Sequence, residues 1–178
     1  MRAFRMAYDG RPFHGFQRQP DVSTVEDTIF DALRELDVLD DDKPPSYAAA
    51  GRTDAGVSAV AQTIAFDCPD WLTPRALNSE LPAAIRAWAY ADTQPEFHAT
   101  HDASSRTYSY YLHAPEFDGG KAHTALSTFS GEHDFHNLTP DTHGTVRTLD
   151  TGLERDGDFL TITLRADGFP RQLVRRVV

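Results

Sequence analysis

Tyr47-Ala48-Ala49-Ala50-Gly51-Arg52-Thr53-Asp54-Ala55-Gly56-Val57-Ser58-Ala59-Val60-Ala61-Gln62-Thr63-Ile64-Ala65-Phe66 contains two strand-like runs, Tyr47 to Gly51 and Val60 to Phe66, joined by a loop. Gly51 and Gly56 bracket that loop, as turn-forming residues do between strands. What flanks the pair decides the architecture. Upstream, Ala3 to Tyr8 mixes apolar and basic residues and ends at the turn pair Asp9-Gly10, so it reads as a strand. Ser23-Thr24-Val25-Glu26 matches a capping box, and Val25, Ile29, Ala32, Leu33 and Leu36 recur at helical spacing. The spacing predicts a helix from about Thr24 to Asp37, stopped by the acidic, proline-ended run from Asp40 to Pro45. Downstream, Thr73-Pro74 supplies a cap and a first-turn proline for a helix reaching toward Leu81, and Ile85 to Ala91 alternates like a half-buried strand. The order is β-α-β-β-α-β.

The pattern restarts at Ser105. Thr107 to Leu112 is tyrosine-rich and suits a strand, and a helical or mixed region covers Ala122 to Leu138. Val146 to Leu153 and Phe159 to Leu164 read as strands around an Arg155-Asp156-Gly157-Asp158 hairpin turn. An amphipathic segment begins at Gln172. The expectation is therefore an α/β protein of the α+β kind, with two related ferredoxin-like (RRM-like) βαββαβ halves built on a mainly antiparallel sheet. The halves divide at residues 1–103 and 104–178. The second lacks its closing strand, and Leu173 to Val178 carry neither a helix stop nor a polar tail, so the chain is expected to be a fragment.

Charge narrows the setting. Lys+Arg 17 against Asp+Glu 27 gives a net charge of −10 in 178 residues. Asp supplies 20 of the acids and Arg 15 of the bases, with only Lys43 and Lys121 as lysines. Short, strongly hydrated carboxylates in place of long lysine stems suit a protein working in high salt. There the Debye length shrinks to about 3 Å at 1 M, so an acidic chain can meet RNA through a local arginine groove. A single cysteine, Cys68, excludes an internal disulfide. No apolar run reaches the roughly 20 residues of a membrane helix, and the first residues carry no signal-peptide stretch, so a cytoplasmic protein without a membrane partner is expected.

The loop between the two runs concentrates the chemistry. Gly51-Arg52-Thr53-Asp54-Ala55-Gly56-Val57 sets a cation, a hydroxyl and a carboxylate between two glycines that permit close backbone approach. From spacing alone, an ordinary turn with Asp54 capping nearby amides competes with a catalytic loop. His98-x-x-His101 and His133-x-x-His136 are each too few ligands for a zinc site, so no metal is expected. No phosphate-binding loop or dinucleotide fingerprint occurs.

The loop resembles the catalytic motif of the TruA family of tRNA pseudouridine synthases, commonly G-R-T-D-A-G-V-H-A, with Ser58 standing where that family has histidine. The similarity extends along nearly the whole chain. Tyr8-Asp9-Gly10, Phe13, Gly15-Phe16-Gln17 and Gln19-Pro20 resemble the family's amino-terminal segment. Ser105-Arg106-Thr107-Tyr108 resembles its tyrosine motif, Gly131-Glu132-His133-Asp134-Phe135 its histidine-containing motif, and Leu173-Val174-Arg175 its arginine motif.

The resemblance implies isomerisation of uridine to pseudouridine in the anticodon stem and loop of tRNA, by a homodimer and without a cofactor. Asp54 is implied as the catalytic carboxylate, either a nucleophile at C1′ or a base on the ribose, and Arg175 as the guanidinium that pairs with it. Tyr108 is implied as the ring that stacks on the extruded base, and Arg52 as the residue that fills the space the base leaves. Read in isolation, Tyr108 suits a core position and Arg175 a surface helix cation. The competing class is a noncatalytic RNA-binding module of ferredoxin-like fold with Asp54 merely structural. A glycoside hydrolase is a third reading, distinguished by release of free uracil.

Overall fold

A computed structural model describes residues 1–178 and divides into two compact units, Met1–Asp102 and Ala103–Val178. The first unit runs β1 (Arg2–Tyr8), α1 (Val25–Glu35), β2 (Ala48–Ala49), β3 (Ala59–Phe66), α2 (Pro74–Glu80) and β4 (Ile85–Asp92). Its antiparallel sheet has the order β2-β3-β1-β4, the ferredoxin-like arrangement that the β-α-β-β-α-β reading anticipates.

Alternation along β1 assigns the faces. Arg2, Phe4, Met6 and Tyr8 are buried, while Ala3, Arg5 and Ala7 point the other way. Phe4 pairs with Ile64 and Tyr8 with Ile85, so the apolar side chains of three strands share one face. That face packs with Val25, Ile29, Phe30 and Leu33 of α1 and Leu77 of α2. Each large side chain so removed from water contributes about 1.5–3 kcal/mol before conformational entropy is set against it.

The cap of α1 falls one residue later than the Ser23–Glu26 box suggests. Thr24 is the N-cap: its hydroxyl accepts from Asp27 N at 3.2 Å and donates to the Asp27 carboxylate at 2.7 Å. The amides of Val25 and Glu26 are taken by the carbonyls of Gly15 and Phe16, and the Glu26 carboxylate accepts from Arg18 N instead. Thr73 caps α2 as its Thr-Pro signal predicts.

The second unit runs β5 (Arg106–His113), α3 (Gly119–Ser127), β6 (Gly131–Asp134), a single 3-10 turn (His136–Leu138), β7 (Val146–Asp156), β8 (Phe159–Ala166) and α4 (Leu173–Val177). Its antiparallel sheet has the order β5-β8-β7-β6. Strands β7, β8 and β5 occupy the places of the second, third and first strands of a ferredoxin-like half, and β6 is an additional edge strand. Sequence reading covers that segment with a helical or mixed region. The helix ends at Ser127, Gly131 turns the chain with φ of 93°, and four mostly polar residues pair with Val146–Leu149 without any apolar alternation to announce them. The β7–β8 hairpin closes over Gly157-Asp158, with Gly157 at φ 57°. Phe135, Leu149, Ala166 and Leu173 form the core of this unit. No helix is long and apolar enough to cross a membrane.

Candidate active site

The loop from Gly51 to Ser58 sits at the end of the first sheet, where β1 finishes and β3 and β4 begin. The segment that follows β1 wraps around it. Tyr8 and Thr53 share a hydroxyl–hydroxyl hydrogen bond of 2.9 Å, although Tyr8 is almost wholly buried. Phe16 N donates to Thr53 O at 2.9 Å, Gly56 N to Phe13 O at 3.2 Å, and Val57 N closes a turn onto Asp54 O at 3.1 Å. At the loop's two ends, Gln62 Nε2 donates to Gly51 O and Gly10 N donates to Ser58 Oγ.

Two glycines make this wrapping possible. A Cβ on Gly10 would lie 2.1 Å from Val57 O, so only hydrogen fits between the strand end and the loop. Gly15, at φ 100°, would bring a Cβ to 3.0 Å from Thr53 O. Asp54 itself is exposed, and so is Arg52 two residues before it. The loop thus fixes its main chain while presenting its charged side chains outward.

Ser58 has a definite task here. Besides accepting from Gly10 N, it lies beside Asp9, whose carboxylate is gripped at two oxygens by Arg11 at 2.9 and 2.6 Å. The Arg11 guanidinium, chiefly through these hydrogen bonds, lowers Asp9 to about 2, with a smaller contribution from Ser58. The hydroxyl ties β3 to the end of β1 at the position where the TruA pattern has histidine.

Tyr108 and Arg175 belong to the second unit. Tyr108 lies on β5 opposite Leu164; its ring is half-buried and meets Phe169 edge to face at 5.2 Å and 83°. It is therefore neither a fully buried core residue nor a bare surface one. Its neighbours Tyr110 and Tyr111 are exposed. Arg175 is an exposed residue of α4, a five-residue helix anchored by buried Leu173 and begun by Gln172 at φ 64°. Phe135 of the histidine-containing motif is buried in this unit's core, and Asp134 beside it is lowered, first by its hydrogen bond with Thr145.

Tyr8, Gly10 and Gly15 belong to the amino-terminal segment that resembles the family's, but their part in holding the loop shows only in the fold. The bond of Tyr8 to Thr53 spans 45 positions, beyond any local pattern. A cavity of about 400 Å³ in the first unit, lined by Lys43, Tyr47, Phe97 and His98 among others, does not include the loop.

No protein-family model matches the chain. Curated relatives do, over almost all of it. A tRNA pseudouridine synthase A from Halobacterium salinarum is 65% identical over 179 residues, which cover 99% of this chain and 67% of the relative. The chain belongs to the tRNA pseudouridine synthase A family. Another member, from Natronomonas pharaonis, is 61% identical, and one from Methanosarcina acetivorans is 41% identical, with 68% and 67% of their respective lengths covered. The chain thus spans about two thirds of the length of these tRNA pseudouridine synthase A proteins.

Proposed function

We propose that the chain isomerises uridine to pseudouridine in the anticodon stem and loop of tRNA, with Asp54 as the reacting carboxylate. The observation that carries this reading is an exposed aspartate on a loop whose main chain is pinned from both sides, in a member of the tRNA pseudouridine synthase A family. A reaction at one ribose carbon rewards such rigidity, because a misplacement of about 1 Å can cost about a hundredfold in rate.

The reaction breaks the C1′–N1 bond, turns the uracil and forms a C1′–C5 bond. C5 loses its proton and N1 gains one, so neither an oxidant nor a group donor is required. An Asp54 oxygen either adds to C1′ as the base departs, leaving when C5 attacks, or withdraws a ribose proton as the base departs and returns it when C5 attacks; both courses use the ionised carboxylate. Covering that charge with RNA is costly without a counter-charge, and Arg175 supplies a planar guanidinium able to hold both oxygens. Tyr108 stacks on the extruded uracil, and Arg52 occupies the space it vacates. The first half thereby carries the carboxylate and the second the ring and its cation. The protein works in the cytoplasm, where its tRNA is found, as a homodimer.

Replacement of Asp54 by asparagine tests the assignment. Asp54→Asn keeps shape and removes charge, so pseudouridine mapped at nucleotide resolution falls by at least about 10²-fold while tRNA still binds. Conversion at the wild-type rate by Asp54→Asn overturns the assignment, and release of free uracil points to hydrolysis instead.

A further inference from the structure

The first unit leaves one part of its sheet open. Helices α1 and α2 cover the face that carries Phe4, Met6 and Tyr8. On the opposite face, Phe97 and Ala99 pack over Ala3, Ala48 and Ala65, and Thr100 Oγ1 donates to Ala49 O. That cover lies over the end of the sheet where β1 begins. The other end, adjoining the Asp54 loop, is bare.

Two irregularities shape the bare end. Strand β3 shifts register between its pairings with Met6 and Tyr8, and β4 shifts between its pairings with Arg5 and Met6, which leaves Trp88 as the extra residue. The carbonyls freed in β3 are taken from above. Trp88 Nε1 donates to Val60 O at 3.0 Å, and Arg5 Nη1 donates to Ala61 O at 3.0 Å. Trp88 therefore reaches from β4 across β1, over small Ala7, and its indole is held at the nitrogen while 56% exposed; Val60 is 85% exposed. A large aromatic this exposed is ordinarily mobile at the surface, but this one is tethered.

The charge around it is equally selective. Arg5 and Arg86 stand on this face by register, opposite Ala89 and Ala7, and both guanidinium groups are held by backbone carbonyls rather than carboxylates. The strand residues of the bare end include no acid, in a chain whose acids outnumber its bases by 27 to 17. The nearest acid beyond β1, Asp9, is already neutralised by Arg11. An aromatic plane flanked by two cations suits a nucleobase between two phosphates, and the excess of cations over acids on these strands favours a polyanion.

We propose that Trp88, with Arg5 and Arg86, is a second RNA-binding platform, on which an unpaired base of the tRNA strand stacks while the neighbouring phosphates meet the two arginines. This rests on the assignment of tRNA as substrate and adds a contact apart from the reacting uridine. The platform holds the strand and takes no part in the chemistry.

The platform is tested in the protein carrying Trp71→Phe, which leaves Trp88 as the sole tryptophan. Trp71 lies beyond the opposite end of the sheet, in the turn whose carbonyls hold Arg2. Adding an unmodified anticodon stem-loop RNA is expected to quench Trp88 fluorescence. Trp88→Ala is expected to weaken binding of the fluorescein-labelled RNA roughly tenfold, while Trp88→Phe, which can still stack, stays closer to wild type. The expected change in pseudouridine formation is a higher KM with kcat retained. Circular dichroism establishes that each variant is folded. Unchanged RNA affinity for folded Trp88→Ala, or no quenching while the labelled RNA binds, overturns the platform and leaves the Asp54 assignment standing. Loss of pseudouridine formation by the wild-type protein overturns that assignment instead. Dissociation of a dimer by Trp88→Ala at constant RNA affinity identifies the face as a subunit contact and overturns the proposal.

Discussion

Replacing Gly10 by alanine adds one carbon where the structure leaves no room for it. The new Cβ would stand 2.1 Å from Val57 O, against the 3.4 Å at which ordinary contact begins, so the strand end and the loop must part by about 1.3 Å. Gly10 is not among the residues with positive φ, so alanine suits its conformation and the whole penalty is steric. Over-packing of this kind costs about 1–3 kcal/mol, part of which relaxes as movement of the loop. The movement stretches the Gly10–Ser58 bond and displaces Val57, three residues from the carboxylate. At about a hundredfold in rate per ångström, kcat for pseudouridine formation should fall by about two orders of magnitude. Gly56→Ala is the control. Gly56 has φ of 77° and nothing within 4 Å of an added Cβ, so it suffers about 1–2 kcal/mol of backbone strain and no clash. Single-turnover kinetics on one tRNA, together with thermal unfolding of both variants, separate the effects. If Gly10→Ala turns over like wild type, the loop is not positioned by this contact and the clamping argument is wrong.

Other outcomes follow from charge. Because Arg11 holds the folded-state pKa of Asp9 at about 2, below the ordinary carboxylate value, the pair stabilises the strand end above pH ~3.9 and loses that contribution progressively as pH falls from there through about 2. A carboxyl-detected NMR titration should place the Asp9 midpoint near 2, and Arg11→Ala should return it toward the ordinary value; a midpoint near 4 in wild type contradicts the pairing. The net charge of −10 predicts self-repulsion relieved by salt, so Tm should climb between dilute buffer and molar KCl. A flat or falling Tm removes the high-salt reading of the composition.

Much of the first unit was legible because its signals are local. Thr73-Pro74 announces α2, the apolar spacing of Val25, Ile29 and Leu33 announces α1, and both form as read. The capping box misplaces the start of α1 by one residue because Phe16 and Gly15, eight or more positions upstream, claim the first amides. Strand β6 is illegible for another reason: an edge strand of Gly, Glu, His and Asp buries nothing, so no hydrophobic period marks it. At the site, Arg52 and Asp54 stand out through their motif, whereas Tyr8, Gly10 and Phe16, which hold their loop, lie far from it in sequence. Trp88 escapes notice altogether. Its place in an alternating strand suggests a half-buried residue, and only the bulges in β3 and β4 reveal why it lies across the sheet.

The way the loop is pinned separates where the carboxylate sits from what it is. Its anchors engage the carbonyls of Gly51, Thr53 and Asp54, the amides of Gly56 and Val57, and the hydroxyls of Thr53 and Ser58. Asparagine keeps the shape of aspartate, so the exchange leaves these anchors in place. Asp54→Asn should therefore abolish conversion at an unchanged Tm. Gly10→Ala does the reverse, moving the frame while leaving the aspartate's chemistry intact. A drop in Tm for Asp54→Asn comparable to that for Gly10→Ala would mean that the carboxylate is itself a structural tie. Its loss could then no longer be counted as a loss of chemistry.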